Sequence, residues 1–370
     1  MWCYGKKDEY MKMVPSGMLP AAILDGKLVT ESDVILDTLE TRFPEPSLRP
    51  LPRAADRPLF DNFLKLERQL FSSWMMWLCR VGANDRVQAA FEATLDQVDQ
   101  SLAVKEGPYF MGAFSLVDCV FAPFLERIAA SIVYYKGLKV RGGRWHHLNQ
   151  WYAAMEQRGD YKGIMSDYHT HVHDLPPQLG GCLASGTPEQ QAAAAEIDGI
   201  AGHGLMPVAP QSDDDVEPPN GWEQDVSLAC LEAAAALLRH HTKVLALAQR
   251  PGQVALMEPA LQRIADSLLE AEAIISLNGL PVTDASELEL MQTALGLRYV
   301  CDRINVPRDM HLPAARQLRA RLNHLSSLLA CHAKGLGSDV VLGQAAVVAR
   351  RVELPTKNRK DQDPAAFGWA

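Results

Sequence analysis

The sequence predicts a mostly α-helical protein that opens on one short β-hairpin, and three features of the 370-residue chain predict it. Pro20-Ala-Ala-Ile-Leu24 and Lys27-Leu-Val-Thr30 flank Asp25-Gly26, a pair that suits a type I′ turn because both central residues must take positive φ. Apolar residues then recur at helical spacing through 54–182 and again through 221–352. Between these two helical regions lies 183–220, rich in Gly, Pro and Asp.

Taken in order, the first stretch is 1–44. Its Thr30-Glu31-Ser32-Asp33 reads as a capping box with Asp in place of Glu, opening a helix carried by Val34, Ile35 and Leu39. The run Phe43-Pro-Glu-Pro-Ser-Leu-Arg-Pro-Leu-Pro52 ends it and reads as a linker. Within 54–182, Phe60, Phe63, Leu64, Phe71, Trp74 and Leu78 mark one helix, and Val87, Phe91, Leu95, Val98 and Leu102 the next. The segment from Phe114 to Ile128 is apolar nearly all round, which places it in the middle of a bundle. Its start is specified closely: Ser115 can accept from the N–H of Asp118, Asp118 can reach back to that of Ser115, and Phe114 can staple onto Cys119. The 183–220 stretch reads as a linker holding one short Ala-rich helix near Glu189 to Ile197. Residues 221–352 form a helical extension, clearest at Leu318, Leu322, Leu325 and Leu329, and 353–370 a loose polar tail.

Composition bounds the function. Nearly half the residues are apolar, enough for two or three packed units. The net charge of −9 comes from interspersed acids and bases, with one acidic run at Ser212-Asp-Asp-Asp-Val-Glu217, so the basic face that nucleic-acid binding requires is missing. Cys3, Cys79, Cys119, Cys182, Cys230, Cys301 and Cys331 are scattered with no CxxC spacing, which fits a reducing compartment better than a disulfide framework. No apolar window reaches bilayer length, and the first twenty residues carry no secretory pattern. The expectation is a cytoplasmic protein, with an organellar targeting peptide left open if the natural chain starts upstream.

Two segments together resemble the glutathione S-transferase superfamily, in the spelling of plant and algal members with a long C-terminal helical extension. They are Val14-Pro-Ser-Gly-Met-Leu-Pro20 with the following hairpin and Thr30-Glu-Ser32, and Gly112-Ala-Phe-Ser-Leu-Val-Asp118. The resemblance covers about residues 7–182. It implies that 1–44 is the second half of a thioredoxin-like α/β lobe and 54–182 the family's all-helical lobe. It further implies a cis bond between Leu19 and Pro20 that turns the Leu19 backbone toward the cysteinyl part of glutathione. Glu31 and Ser32 would hold the γ-glutamyl end, with Ser115 and Asp118 as the structural capping box. Glutathione would be the cosubstrate, a small electrophile or disulfide the second substrate, and a homodimer the usual assembly.

The family's catalytic Tyr, Ser or Cys sits on an earlier segment, so the catalytic residue is unassigned and the chain is expected to be N-terminally truncated and inactive as given. Cys3 does not match that position. A non-catalytic scaffold using the same fold is the alternative.

The remaining candidates weigh toward structure. His169-Thr-His-Val-His173, flanked by Asp167 and Asp174, would face one way in an extended strand, whereas on a helix the middle histidine would point away from the outer two, and no metal is assigned to it. Trp74, Trp77, Tyr134 and Tyr135 suit a core better than a substrate cleft. Asp302, Arg303, Arg308 and Asp309 suggest a paired-charge turn that packs onto the helical lobe.

Overall fold

The computed structural model describes residues 8–17, 19–82, 85–199, 215–217, 225–249, 254–270 and 275–335. A short helix α1 (Asp8–Met13) leads to the hairpin β1 (Ala22–Leu24) and β2 (Lys27–Val29). The strands pair antiparallel with Ala22 opposite Val29 and Leu24 opposite Lys27. At the turn, Asp25 has φ 51° and Gly26 φ 74°, the two positive values a type I′ turn needs. The Leu19–Pro20 bond is cis. Helix α2 (Ser32–Arg42) follows, and its Arg42 pairs with Asp25 of the turn. Ile23, Leu28, Val34 and Leu39 stay exposed, since two strands and one helix cannot enclose an apolar interior.

The proline-rich stretch after α2 is fixed at both ends. The Glu40 carboxylate accepts from Ser47 Oγ and the Leu48 N–H, both at 2.9 Å. The Leu48 carbonyl in turn accepts from the Leu116 N–H at 2.8 Å. This clips the small lobe to the start of the central helix.

That helix is α5 (Leu116–Lys136). Around it stand α3 (Arg57–Cys79), α4 (Asp85–Leu102), α6 (His146–Glu156), the single turn α7 (Gly159–Lys162), α8 (Tyr168–Leu179) and α9 (Pro188–Ile197). α5 packs against α3, α8 and α9, and its buried residues cover all sides, as its all-round apolar sequence requires. The first core runs from Phe60 to Ile197. It therefore passes residue 182, because α9 buries Ala193, Ala194 and Ile197 against it and Gln190 donates to the Tyr134 carbonyl at 2.7 Å. The first part of the segment read as a linker is thus packed structure, while 200–214 and 218–224 lie outside the described residues.

The capping box at α5 closes, and more converges on it than its own turn. Asp118, fully buried, accepts from the Ser115 N–H and Oγ, both at 2.9 Å, from Trp151 Nε1 at 2.9 Å and from the Phe110 N–H at 3.2 Å. Burial pushes its pKa up, and the Trp151, Ser115 and Phe110 donors offset only part of that. One carboxylate thereby ties α5 to α6 and to the loop before it. Asp118→Ala would strand three or four buried donors. We expect a loss of about 3 kcal/mol or more in urea unfolding, far above the ~1 kcal/mol of an exposed cap.

The extension consists of α10 (Val226–Arg239), α11 (His241–Ala248), α12 (Met257–Leu269), α13 (Glu287–Cys301) and α14 (Leu312–Ala333). It has its own core, into which Leu318, Leu322, Leu325 and Leu329 of α14 all point. α13 lies on α14 and crosses α11 closely at Gly296, where a Cβ would sit 2.1 Å from the Ala248 carbonyl oxygen.

The two cores meet across a polar seam. Asp167, the N-cap of α8, accepts from the Thr170 N–H at 3.2 Å and from Arg319 Nη1 of α14 at 2.5 Å. Arg319 also donates to Thr170 Oγ1 at 3.1 Å and to the Ile304 carbonyl at 2.6 Å. The loop from Asp302 to Asp309 docks here: Asn305 donates to Asp174 at 2.5 Å, the Val306 N–H to Thr170 at 3.0 Å, and Ser166 to the Val306 carbonyl at 2.5 Å. Of the expected paired-charge turn, Arg308 pairs with Asp309 at 3.0 Å, while Asp302 pairs with Arg298 at 3.3 Å and Arg303 lies over the Tyr299 ring.

Burial alone would raise the Asp167 pKa, but the charge and hydrogen bonds of Arg319, with Thr170 and Arg316, hold it below the ordinary 3.8. A carboxylate lowered in the folded state contributes stability that is present above its ordinary value and lost as pH falls through the lower folded one. Asp167→Asn leaves Arg319 buried without its counter-charge and should cost about 3 to 5 kcal/mol in chemical unfolding at neutral pH. Its stability should also fall less steeply in acid than that of the parent chain.

Candidate functional site

The four residues singled out for a ligand, Leu19, Pro20, Glu31 and Ser32, are all exposed. The strand register brings them together. Ala22 faces Val29, so Pro20, two residues before one strand pair, and Glu31, two residues after it, lie at the same end of the hairpin. The start of α2 is at that end. Glu31 is its N-cap, with extended φ −88° and ψ 131°, and no side chain caps the helix. The predicted capping box does not form: Thr30 is not the cap, and Asp33 accepts from the neighbouring Val34 N–H at 2.9 Å instead of reaching back. An exposed first turn with no side-chain cap has donors to offer, and its dipole favours an anion.

The comparisons with known proteins fall on these segments. Residues 2–47 match the family described as glutathione S-transferase, N-terminal domain, and residues 82–154 match glutathione S-transferase, C-terminal domain. Both matched segments are those of the glutathione S-transferase superfamily. Among curated relatives, glutathione S-transferase DHAR2 of Arabidopsis thaliana is 30% identical over 136 residues, which is 36% of this chain and 60% of that protein. Glutathione S-transferase L2, chloroplastic, of the same plant is 27% identical over 168 residues, covering 44% of this chain and 56% of its own. The chain thus spans roughly three-fifths or less of the length of these relatives. Among solved structures, a trimeric glutathione transferase from Leishmania aligns over 94% of this chain and 91% of its own with 17% identity and a TM-score of 0.42. A Chlamydomonas reinhardtii dehydroascorbate reductase aligns over 43% of this chain and 72% of its own, with 24% identity and a TM-score of 0.36.

The other candidates named from the sequence are structural. Trp74, Trp77 and Tyr134 are buried and Tyr135 half-buried; Trp74 donates to Ser131 at 3.0 Å and Tyr135 to the Val172 carbonyl at 2.8 Å. They fill the bundle and do not line a cleft. A cavity of about 30 Å³ lies among Glu126, Arg141, Tyr152, Glu156, Tyr168 and His171, room for a water and not for a substrate. Burial pushes the Tyr152 and Tyr168 hydroxyls well up, so they stay neutral.

The histidine run is helical, lying in α8, and not extended. His169 and His173 therefore share a face, with ring centroids 4.4 Å apart, while His171 turns toward Glu126 at 3.2 Å. His173 Nε2 lies 2.8 Å from Asp198, and both histidines approach Asp302, at 4.0 and 3.8 Å. His169, His173 and Asp198 place ligand atoms within 4.8 Å of one another. The Arg298 guanidinium stands between the same carboxylates, 3.3 Å from Asp302 and 3.8 Å from Asp198, and supplies the positive charge they require. The cluster works as one more tie in the seam between α8, α9 and α13.

Cys3 lies outside the described residues. The sequence reading missed a thiol pair: Cys79 at the end of α3 and Cys182 after α8 hydrogen-bond to each other. Their separation along the chain carries no spacing signal, and only the packing of α8 against the bundle brings them together.

An uncapped helix start is less stable than a capped one. Glu31→Ser supplies a capping oxygen and should stabilise α2 and its hairpin by about 1 kcal/mol, read by thermal unfolding.

Proposed function

We propose that this chain binds glutathione and that the whole protein works as a glutathione-dependent transferase or thiol oxidoreductase, with glutathione as cosubstrate. The observation that carries the reading is the exposed first turn of α2, with no side-chain cap, set at the same hairpin end as Leu19 and Pro20 in a chain matching both transferase domains. Glutathione is an extended tripeptide with a carboxylate at each end. The α-carboxylate of its γ-glutamyl residue suits the first-turn N–H groups of α2 and the Ser32 hydroxyl, and its ammonium suits the Glu31 carboxylate. The exposed Leu19 backbone offers one donor and one acceptor to the cysteinyl residue, as a strand pairs with an added strand.

The second substrate belongs to the class of small electrophiles or disulfides, and a homodimer is the assembly we favour. No helix of the described residues is long and apolar enough to cross a membrane. The cysteines of the described residues are all free thiols, which supports a reducing compartment such as the cytoplasm.

Titration calorimetry with reduced glutathione tests the site. Saturable binding is expected, and Ser32→Ala should weaken it about tenfold, the equivalent of one charge-assisted hydrogen bond. Binding untouched by Ser32→Ala would displace the ligand from α2, and no heat at millimolar glutathione would refute the reading.

A further inference from the structure

The bundle contains a pair of thiols that neither the transferase reading nor the fold requires. Cys79 ends α3, and Cys182 follows Gly180 and Gly181 at the end of α8. The backbones are locked beside each other, since the Leu183 N–H donates to the Leu78 carbonyl at 2.9 Å. Cys79 and Cys182 are the next residues inward on either side of that bond. Both are half-buried and reduced, and their side chains hydrogen-bond to each other. Lys136, the last residue of α5, donates to the Leu183 carbonyl at 2.7 Å and so holds an ammonium over the pair. Gly180 and Gly181 both take positive φ with open space around them, which leaves the Cys182 side freedom to adjust.

We propose that Cys79 and Cys182 form a redox-active dithiol, which exchanges with a small disulfide of the glutathione type to become an intramolecular disulfide. This does not rest on the ligand site at α2.

The two sulfurs are unequal in the way the exchange needs. The hydrogen bond from Cys182 lowers the Cys79 pKa most; burial opposes it and the Lys136 charge adds to it. The same bond, with burial, pushes Cys182 up. With the Lys136 ammonium beside the pair to favour a thiolate, we assign Cys79 as the attacking sulfur and Cys182 as the resolving thiol. In the first step the Cys79 sulfur attacks one sulfur of glutathione disulfide, the S–S bond breaks, and one glutathione thiolate leaves. In the second, Cys182 gives up its proton and attacks Cys79 in the mixed disulfide, releasing the other glutathione. Two protein thiols are oxidised, one disulfide is reduced to two thiols, and the two thiol protons pass to the two glutathiones released.

The test treats the full chain with glutathione disulfide, alkylates the remaining thiols, and identifies peptides by mass spectrometry. The expected result is loss of two alkylatable thiols and one linked species joining the peptides of Cys79 and Cys182. Cys182→Ser should stop at a glutathione adduct on Cys79, and Cys79→Ser should leave Cys182 unmodified. The proposal is overturned if both thiols stay alkylatable in excess glutathione disulfide, if other cysteines pair instead, or if Cys182→Ser collects no adduct on Cys79. Because the readout is covalent, failure of glutathione to bind at Ser32 would leave these outcomes unaffected.

Discussion

The bond on which the architecture turns is the buried pairing of Asp167 with Arg319. Asp167 opens α8 by accepting from the Thr170 N–H, so its carboxylate already faces the positive end of a helix. Arg319 approaches from α14 and lies fully buried, where a lone guanidinium would be costly. Each charge makes the other tolerable, and Thr170 Oγ1 and the Ile304 carbonyl take up further donors of the guanidinium. Two apolar cores that share no sequence region are thereby held in one orientation. Apolar contact alone would tolerate sliding; a fork of fixed donors does not.

The seam also explains which parts of the fold could be read from the sequence. Helical periodicity gave α3, α4, α5 and α14, because each buries a stripe or its whole circumference, and that pattern is local. The Asp25-Gly26 turn and the Ser115–Asp118 cap were equally local and formed as expected. The convergence of Trp151 and Phe110 on Asp118 was not legible, since a buried carboxylate collects donors from wherever the chain returns. Alternation of His at positions 169, 171 and 173 left strand and helix open, and the segment is a helix with Asp167 at its N-cap. The same carboxylate also makes the contact with Arg319. The stretch after 182 looked like a linker because Ala-rich α9 has little apolar contrast, but small side chains are what let it lie close against α5.

At the other end of the molecule the same physics has the opposite outcome. α8 and α9 start with side-chain caps, Asp167 and Thr187, whereas α2 starts at an exposed Glu31 that caps nothing. The residues proposed for the ligand were legible as a motif, but their placement comes from register: Ala22 opposite Val29 sets Pro20 and Glu31 at the same end of the hairpin. The expected capping box would have consumed the donors that a carboxylate needs. Its failure to form is what leaves the site open.

α8 is the element that relates these regions. Its N-cap Asp167 and first-turn Thr170 fix the extension through Arg319 and Val306, and the chain leaving its last turn brings Cys182 to the end of α3. Lys136 and the Tyr135 carbonyl then hold the chain beyond Cys182 against the end of α5 before α9 begins. A covalent link between Cys79 and Cys182 would therefore act on a segment already fastened at both ends. Oxidation there changes how firmly α8 is anchored to α3 without requiring the bundle to rearrange, and since α8 also carries Asp167, that anchoring is shared with the seam. The small lobe reaches the bundle elsewhere, through the Leu48 carbonyl and Leu116. The proposed ligand site at α2 and the proposed dithiol at Cys79 consequently lie on separate attachments of one central bundle, and either can vary while α5 stays fixed.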